Sequence, residues 1–243
     1  MNRKRSEIST VVVWMVAVLL SAACQGYAQT PRGPYPAMAP LDQYLMADRA
    51  AEIQLARSAA PAAISEHAEV LVLGRLGYET AVQGSNGFVC AVERAWMSPF
   101  DSPEFWNFKL RGPICFNPAA ARSVLPLTYK RTELALAGSS KAQIMAGLKD
   151  ALNKKELPPL EGGAMTYMMS RQGYLGDSIG NAAPHLMFYA PRQDGASWGE
   201  DLPNSPVILN RQFEGSPEPL RSYIVPVLNW SDGMPAAANG HKH

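Results

Sequence analysis

The sequence predicts an α+β fold, a single domain in which a mostly antiparallel sheet packs against N-terminal and central helices. Three observations carry this expectation. Short apolar runs bounded by turn residues, EVLVLG at 69–74 and HLMFYA at 185–190, read as strands. Strand signals fall on both sides of a helical middle. Within that middle, residues 140–155 open with a helix start signal and are followed by a stop at Pro158-Pro159.

Taken in order, the first element is not part of the fold. Arg3, Lys4 and Arg5 precede an apolar run, Val11–Ala23, and small residues follow at Ser21-Ala22-Ala23 and Gly26-Tyr27-Ala28. A basic start, a short apolar middle and a small-residue end describe a signal peptide over residues 1–28. The run is shorter than the roughly 20 residues a spanning helix needs. Gly26 and Ala28 suit a cut before Gln29. Ser21 and Ala23 suit a cut before Cys24, which would then carry a lipid, but Leu20 sits one residue too early for the usual lipoprotein pattern. A retained anchor is the third option. The expected location is therefore periplasmic or secreted, with anchoring through Cys24 as the alternative.

Removal of residues 1–28 leaves 215 residues, enough for one well-filled core. The net charge of +1 becomes about −1, because Arg3, Lys4, Arg5 and Glu7 leave together. A near-neutral chain with no basic run has no electrostatic reason to bind nucleic acid or anionic lipid. Cys90 and Cys115 remain. Export makes them disulfide partners, closing a loop of about 26 residues worth about 3–4 kcal/mol. The rival reading is two separate buried thiols. No CxxC is present, so thiol-redox and zinc-ribbon roles lack support.

Residues 29–40 hold four prolines and read as an extended leader. The globular domain is expected over 41–232, with a disordered tail at 233–243. Leu41–Ala60 reads as a helix with Leu41, Tyr44, Leu45, Leu55 and Ala56 on one face, stopped by Pro61. Glu69–Gly74 is a strand. Gly77–Val82 and Phe88–Arg94 form the expected hairpin across Gly84-Ser85-Asn86-Gly87. If Cys90 points inward, a bridge would pin that strand to the start of the next helix. Asn117-Pro118 opens the helical middle, with a kink or break at Pro126 and a stop at Gly138. Ser140 to Gln143 is a capping box, and Ile144, Leu148, Ala151 and Leu152 form one stripe. Further strands are expected at Ala164–Ser170, His185–Ala190, Val207–Phe213 and Ser222–Trp230. Pro226 makes the last an edge or bulged strand.

Two loops hold the candidate binding residues. The first, 96–113, is aromatic and charged. Trp96, Phe105, Trp106 and Arg111 could form a stacking surface for a small ligand, a glycan or an envelope partner. The competing reading folds those aromatics inward as a satellite core. The second loop, 170–185, carries Arg171, Tyr174, Asp177, Ser178, Asn181 and His185.

Gly176-Asp177-Ser178-Ile179-Gly180 is a G-x-S-x-G segment. It resembles the nucleophile turn of the α/β hydrolases, which implies Ser178 as nucleophile with His185 and Asp177 as partners. Pro184 forbids the long helix that should follow in that family. Gly176-Asp177-Ser178 also resembles the active-serine segment of chymotrypsin-like proteases, which would need His67 as the base. His185 with Met165, Met168, Met169 and Met187 would suit Cu(I), but two adjacent Met residues on a strand face opposite ways, and Met is a common core filler. No nucleotide or dinucleotide motif is present, so no cofactor and no metal are expected. The function expected from the sequence is an exported, non-enzymatic binding protein. The alternative is a small periplasmic serine hydrolase using Ser178.

Overall fold

The computed structural model describes residues 33–192, 195–200 and 202–236. The expected signal peptide, Cys24 and both cut sites lie outside the described residues, as does 237–243. The described residues build eight strands: β1 (Glu69–Gly74), β2 (Gly77–Val82), β3 (Val89–Glu93), β4 (Gly112–Phe116), β5 (Met165–Met168), β6 (His185–Pro191), β7 (Ile208–Asn210) and β8 (Leu220–Pro226). They join in one sheet of order β2-β1-β3-β4-β5-β6-β8-β7. Every neighbouring pair is antiparallel except β1 with β3. The helices are α1 (Arg49–Arg57), α2 (Ala62–Ser65), α3 (Pro118–Ser123), α4 (Leu125–Leu136) and α5 (Lys141–Asn153). The chain is thus an α+β unit with a mixed sheet.

Alternation along the strands splits the sheet into two apolar faces. On one, Val89, Ala91, Ile114, Phe116, Met187 and Tyr189 meet Ala120 of α3, Leu125 and Leu127 of α4 and Val124 between the two helices. On the other, Val70, Cys90, Val92 and Cys115 meet Leu55, Ala56, Ala59 and Ala60 of α1 and the residues after it. A third cluster joins Tyr44, Trp96, Phe100, Phe105 and Trp106 to Ile144 and Leu148 of α5. Gly147 is where α5 meets α4: a Cβ there would sit 2.9 Å from Leu134 Cδ1.

Several expectations are corrected. The helix expected over 41–60 is a 3-10 turn at Leu41–Gln43 followed by α1. Asp48 caps α1 by accepting from the N–H groups of Ala50 and Ala51, so the helix starts after it. The break lets Tyr44 turn inward against Trp96 and donate to the Trp106 carbonyl at 2.8 Å. The hairpin partner of β2 is β1, not β3. Only Arg75 and Leu76 separate the paired Gly74 and Gly77, and a two-residue connection favours a hairpin over the longer path through 83–88. That longer path returns β3 to the far side of β1, in parallel. Gly84 makes the return possible, because a Cβ there would lie 2.1 Å from the Glu69 nitrogen.

Cys90 and Cys115 are bridged, as two directly opposed residues of β3 and β4. The bridge therefore ties strand to strand, not strand to helix start. The helical middle breaks beside Pro126, as expected: α3 ends at Ser123, α4 begins at Leu125, and Pro126 stands at the second position of α4, where no intrahelical donor is needed. Pro226 does not mark β8 as an edge. It is the last residue of β8, opposite His185, while β7 covers only Ser222 to Ile224 on the other side. The leader also differs from a spacer from residue 33 on: Tyr35, Met38 and Ala39 pack on the Trp96 cluster. The compact unit accordingly starts at Gly33, not at 41. At the other end, Trp230 donates to the Met234 carbonyl and Ala236 to that of Leu228, so residues 233–236 belong to a turn. Among the described residues, no helix is long and apolar enough to cross a membrane.

Candidate functional site

Where β3 ends and β6 begins, the sheet leaves a cavity of about 350 Å³ on its α3/α4 face. The segments 97–112 and 168–187 supply most of its wall. These are the two loops singled out from the sequence, but the residues that meet there are largely different ones. Met97, Leu110, Met168, Leu175, Met187 and Ile224 make the wall mainly apolar. Glu93, Ser98, Glu104, Ser178, His185 and Gln212 add polar groups.

Strand geometry explains the cavity. Glu93 ends β3 on the same face as Val89 and Ala91, and its partner across the ladder is Gly112. Gly112 has no side chain to fill the space beside it. A Cβ there would stand 3.3 Å from Leu175 Cδ2 and 3.7 Å from both Glu93 Cβ and Met168 Cε. His185 opens β6 on the face of Met187 and Tyr189, so it reaches the same space from the other side.

The two titratable groups are unusual. Glu93 is only 7% exposed, yet Thr128 Oγ1, at 3.1 Å, is its hydrogen-bond donor and no ion pair reaches it among the described residues. Burial pushes its carboxyl up to about 7, against smaller opposing effects of the Thr128 bond and of Arg131. His185 is 6% exposed, and burial lowers its pKa. Its Nδ1 lies 2.7 Å from the Ala183 carbonyl, which assigns the proton to Nδ1 and leaves Nε2 an acceptor.

Ser178 also reaches the cavity, but its hydroxyl donates to Glu104 Oε1 at 2.8 Å, not to His185. Glu104 further accepts from the N–H groups of Asp177 (2.6 Å) and Ser178 (3.0 Å) and from Asn107 Nδ2 (2.9 Å). Burial works to raise the Glu104 pKa, but these four bonds together lower it. The glycines of the G-x-S-x-G segment now have a structural reason. Gly176 has φ +144°, and a Cβ on it would lie 2.3 Å from Glu104 Oε2. Gly180, at φ +65°, closes the turn by donating to the Gly176 carbonyl at 2.7 Å. The segment is a turn wrapped around the chain's own carboxylate. It leads directly into β6 without the helix of a hydrolase nucleophile turn.

The other candidate residues hold the loops together. Trp96 and Phe105 are fully buried and Trp106 nearly so; Trp96 Nε1 donates to Thr132 at 2.9 Å. These rings are core, not a displayed stacking surface, because each has apolar neighbours on every side that solvent could not match. Arg111 donates to the carbonyls of Phe108, Leu110 and Gln43, and its backbone pairs with that of Tyr174. Burial lowers its pKa to about 10. Arg171 pairs with Asp232 at 2.5 Å. Asp177 is exposed and takes bonds from Tyr174, from Tyr35 at 2.5 Å and from Lys109 at 3.1 Å, which hold its carboxyl near 2. His67 lies exposed between α2 and β1, away from the cavity wall. Of the soft-ligand set, Met168 and Met187 share the wall with His185, whereas Met165 and Met169 do not. Among the described residues, no cluster of three or more His, Cys, Asp or Glu side chains could hold a metal ion.

Sequence reasoning missed Glu93, Glu104 and Gly112. Glu93 had a signal, a carboxylate inside the apolar strand run FVCAVERAW. Glu104 had none, since its partner Ser178 lies 74 residues away. No family model, curated protein or solved structure matches the chain.

Proposed function

We propose that this chain is an exported protein that binds a small, mainly apolar ligand in the cavity between segments 97–112 and 168–187, without transforming it. One observation carries the reading: an apolar-walled space of about 350 Å³ with a few convergent polar groups. Small-molecule sites have this size and this make-up. The wall favours an apolar ligand over a glycan, whose hydroxyls would find few partners. Ser178 speaks for binding as well. Its hydroxyl is committed to a saturated carboxylate, and a nucleophile needs a free base beside it. The Cys90–Cys115 bridge and the basic-apolar-small start of the chain support export and an oxidising compartment.

The test is saturable binding of the neutral apolar fluorophore N-phenyl-1-naphthylamine, read by emission, in the wild type and in cavity-filling variants. Gly112→Leu and Ala182→Trp each place bulk in the cavity from a different wall. One site per chain is expected in the wild type and a loss of at least about tenfold in affinity in a folded filling variant. Binding that survives in both variants would refute the site. A fluorophosphonate probe separates the hydrolase alternative: stoichiometric labelling of Ser178 would replace the binding reading with that one.

A further inference from the structure

We propose that the ligand has a protonated amine at one end of its apolar body and that Glu93 is the counter-ion it meets. This inference rests on the cavity reading above and names the ligand class. Glu93 is more than nine-tenths buried, faces the cavity, and among the described residues has one hydroxyl donor and no cation paired with it. A carboxylate in that position lacks the charge partner that burial demands. An ammonium brings both the charge and up to three donors. The Nε2 of His185 is a second acceptor on the same wall.

Among the described residues, the positive groups around the cavity are committed elsewhere. Arg94 borders it, but its guanidinium turns to the other layer, donating to the carbonyls of Tyr44 and Val92 and pairing with Glu52 at 2.8 Å. Arg131 pairs with Glu218 at 2.8 Å and donates to Ser216 and to the carbonyls of Trp96 and Ser98. Lys141 donates to the carbonyls of Phe100 and Ser102. An anionic head would find no uncommitted cation among the described residues and would face Glu93 and Glu104. A fatty acid or a phosphate ester is therefore the wrong class.

The pairing also predicts a pH dependence. The groups facing Glu93 are Thr128 and Arg131 on α4, Tyr78 on β2 and Tyr189 on β6, with His185 and Glu104 on the cavity wall. Of these, Glu93 itself changes charge near pH 7, while an alkylamine stays protonated well above that. Amine binding should strengthen as pH rises from 5.5 to 8.5.

The experiment titrates octylamine, octanol and octanoate calorimetrically into the full mature protein at both pH values, in the wild type and in Glu93→Gln. Octylamine should bind about tenfold or more tightly at pH 8.5 than at 5.5, octanol should change little, and octanoate should bind weakest. Glu93→Gln should abolish the gain for octylamine between pH 5.5 and 8.5 and with it the advantage of octylamine over octanol. Octylamine without advantage over octanol at pH 8.5, or with an advantage that persists in Glu93→Gln, overturns the inference. The head-group order in the wild type decides the matter even if the variant fails to fold. Failure of N-phenyl-1-naphthylamine to bind would instead count against the cavity reading, so the two failures are distinguishable.

Discussion

At Glu93, the site's main polar group sits in a place unfavourable for folding. Its carboxyl titrates at about 7 when folded, against an ordinary 4.5. Between those values the unfolded chain has released the proton while the folded chain still holds it. Stability therefore falls as pH rises through that window and stays lower above it. The full effect is at most roughly 3 kcal/mol. Glu93→Gln lacks this titration. Urea melts of the unliganded protein should show the variant gaining on the wild type from pH 4 to 8.5, and parallel curves for the two would contradict the burial argument. The Glu104 turn makes a second demand at this scale. Gly176→Ala adds a methyl against Glu104 at a φ that L-residues avoid, and should cost about 2 kcal/mol or more. Gly180→Ala, with open space around its Cβ, should cost about 1 kcal/mol. Ser178→Ala removes one hydrogen bond to a charged group and should cost about 1–3 kcal/mol. Denaturation midpoints of the three order the demands, and an equal cost at both glycines would remove the steric explanation.

Secondary elements were legible where their signals are local. The capping box of α5 forms as expected: Ser140 accepts from the Gln143 N–H, and the Gln143 side chain accepts from that of Ser140. The cores of β1, β2, β3, β5 and β6 follow from short apolar or alternating runs. Partner choice was not local, which is why the β2–β3 hairpin failed: both connections carry glycine, and the shorter one decided. Strand β4 was invisible because GPICF carries Gly and Pro, which usually argue against a strand. Its pairing with β3, sealed by Cys90–Cys115, rescues it. The candidate loops were legible as loops. Their cavity-facing residues were not, since which side chains turn inward depends on contacts far apart in the chain, 35 positions for Thr128 on Glu93 and 74 for Ser178 on Glu104. The bridge gives a prediction at this scale. The double variant Cys90→Ala/Cys115→Ala should lose about 2–4 kcal/mol, read as a fall in thermal midpoint that reductant reproduces in the wild type and not in the variant. The segment 33–40 gives another. Tyr35 packs edge-on against Phe108 and bonds Asp177, so it straps segment 97–112 to the turn at 176–180. Tyr35→Ala should speed hydrogen exchange at the amides of Leu175 and Gly180 while those of α5 stay protected. Uniform exchange behaviour in the two proteins would show that the strap holds nothing.

For the whole molecule, layers, bridge and cavity depend on one another. The β3–β4 pair is the centre of that dependence. One of its faces carries Cys90, Val92 and Cys115 against the helix α1 layer, and the other carries Ala91, Ile114 and the Glu93–Gly112 gap beneath the cavity. The covalent link between the strands therefore lies on the face opposite the binding space, three residue pairs along the same ladder. Two buried ion pairs, Arg94–Glu52 and Arg131–Glu218, commit these arginines to other carboxylates, so neither pairs with Glu93. A chain that reached its final fold with the thiols free should lose rigidity at the cavity floor before losing its outer helices. Protein prepared in a reducing cytosol and protein exported to an oxidising compartment should accordingly differ. The exported form should start at Gln29, carry no lipid and weigh two hydrogen atoms less for the bridge. It should also bind N-phenyl-1-naphthylamine more tightly than its reduced counterpart. Intact-mass measurement of both preparations, paired with fluorophore titration of each, reads all of this together. A lipid-sized mass increment on a chain starting at Cys24 would replace free release with anchoring. Equal affinity in the reduced and bridged forms would separate the bridge from the site.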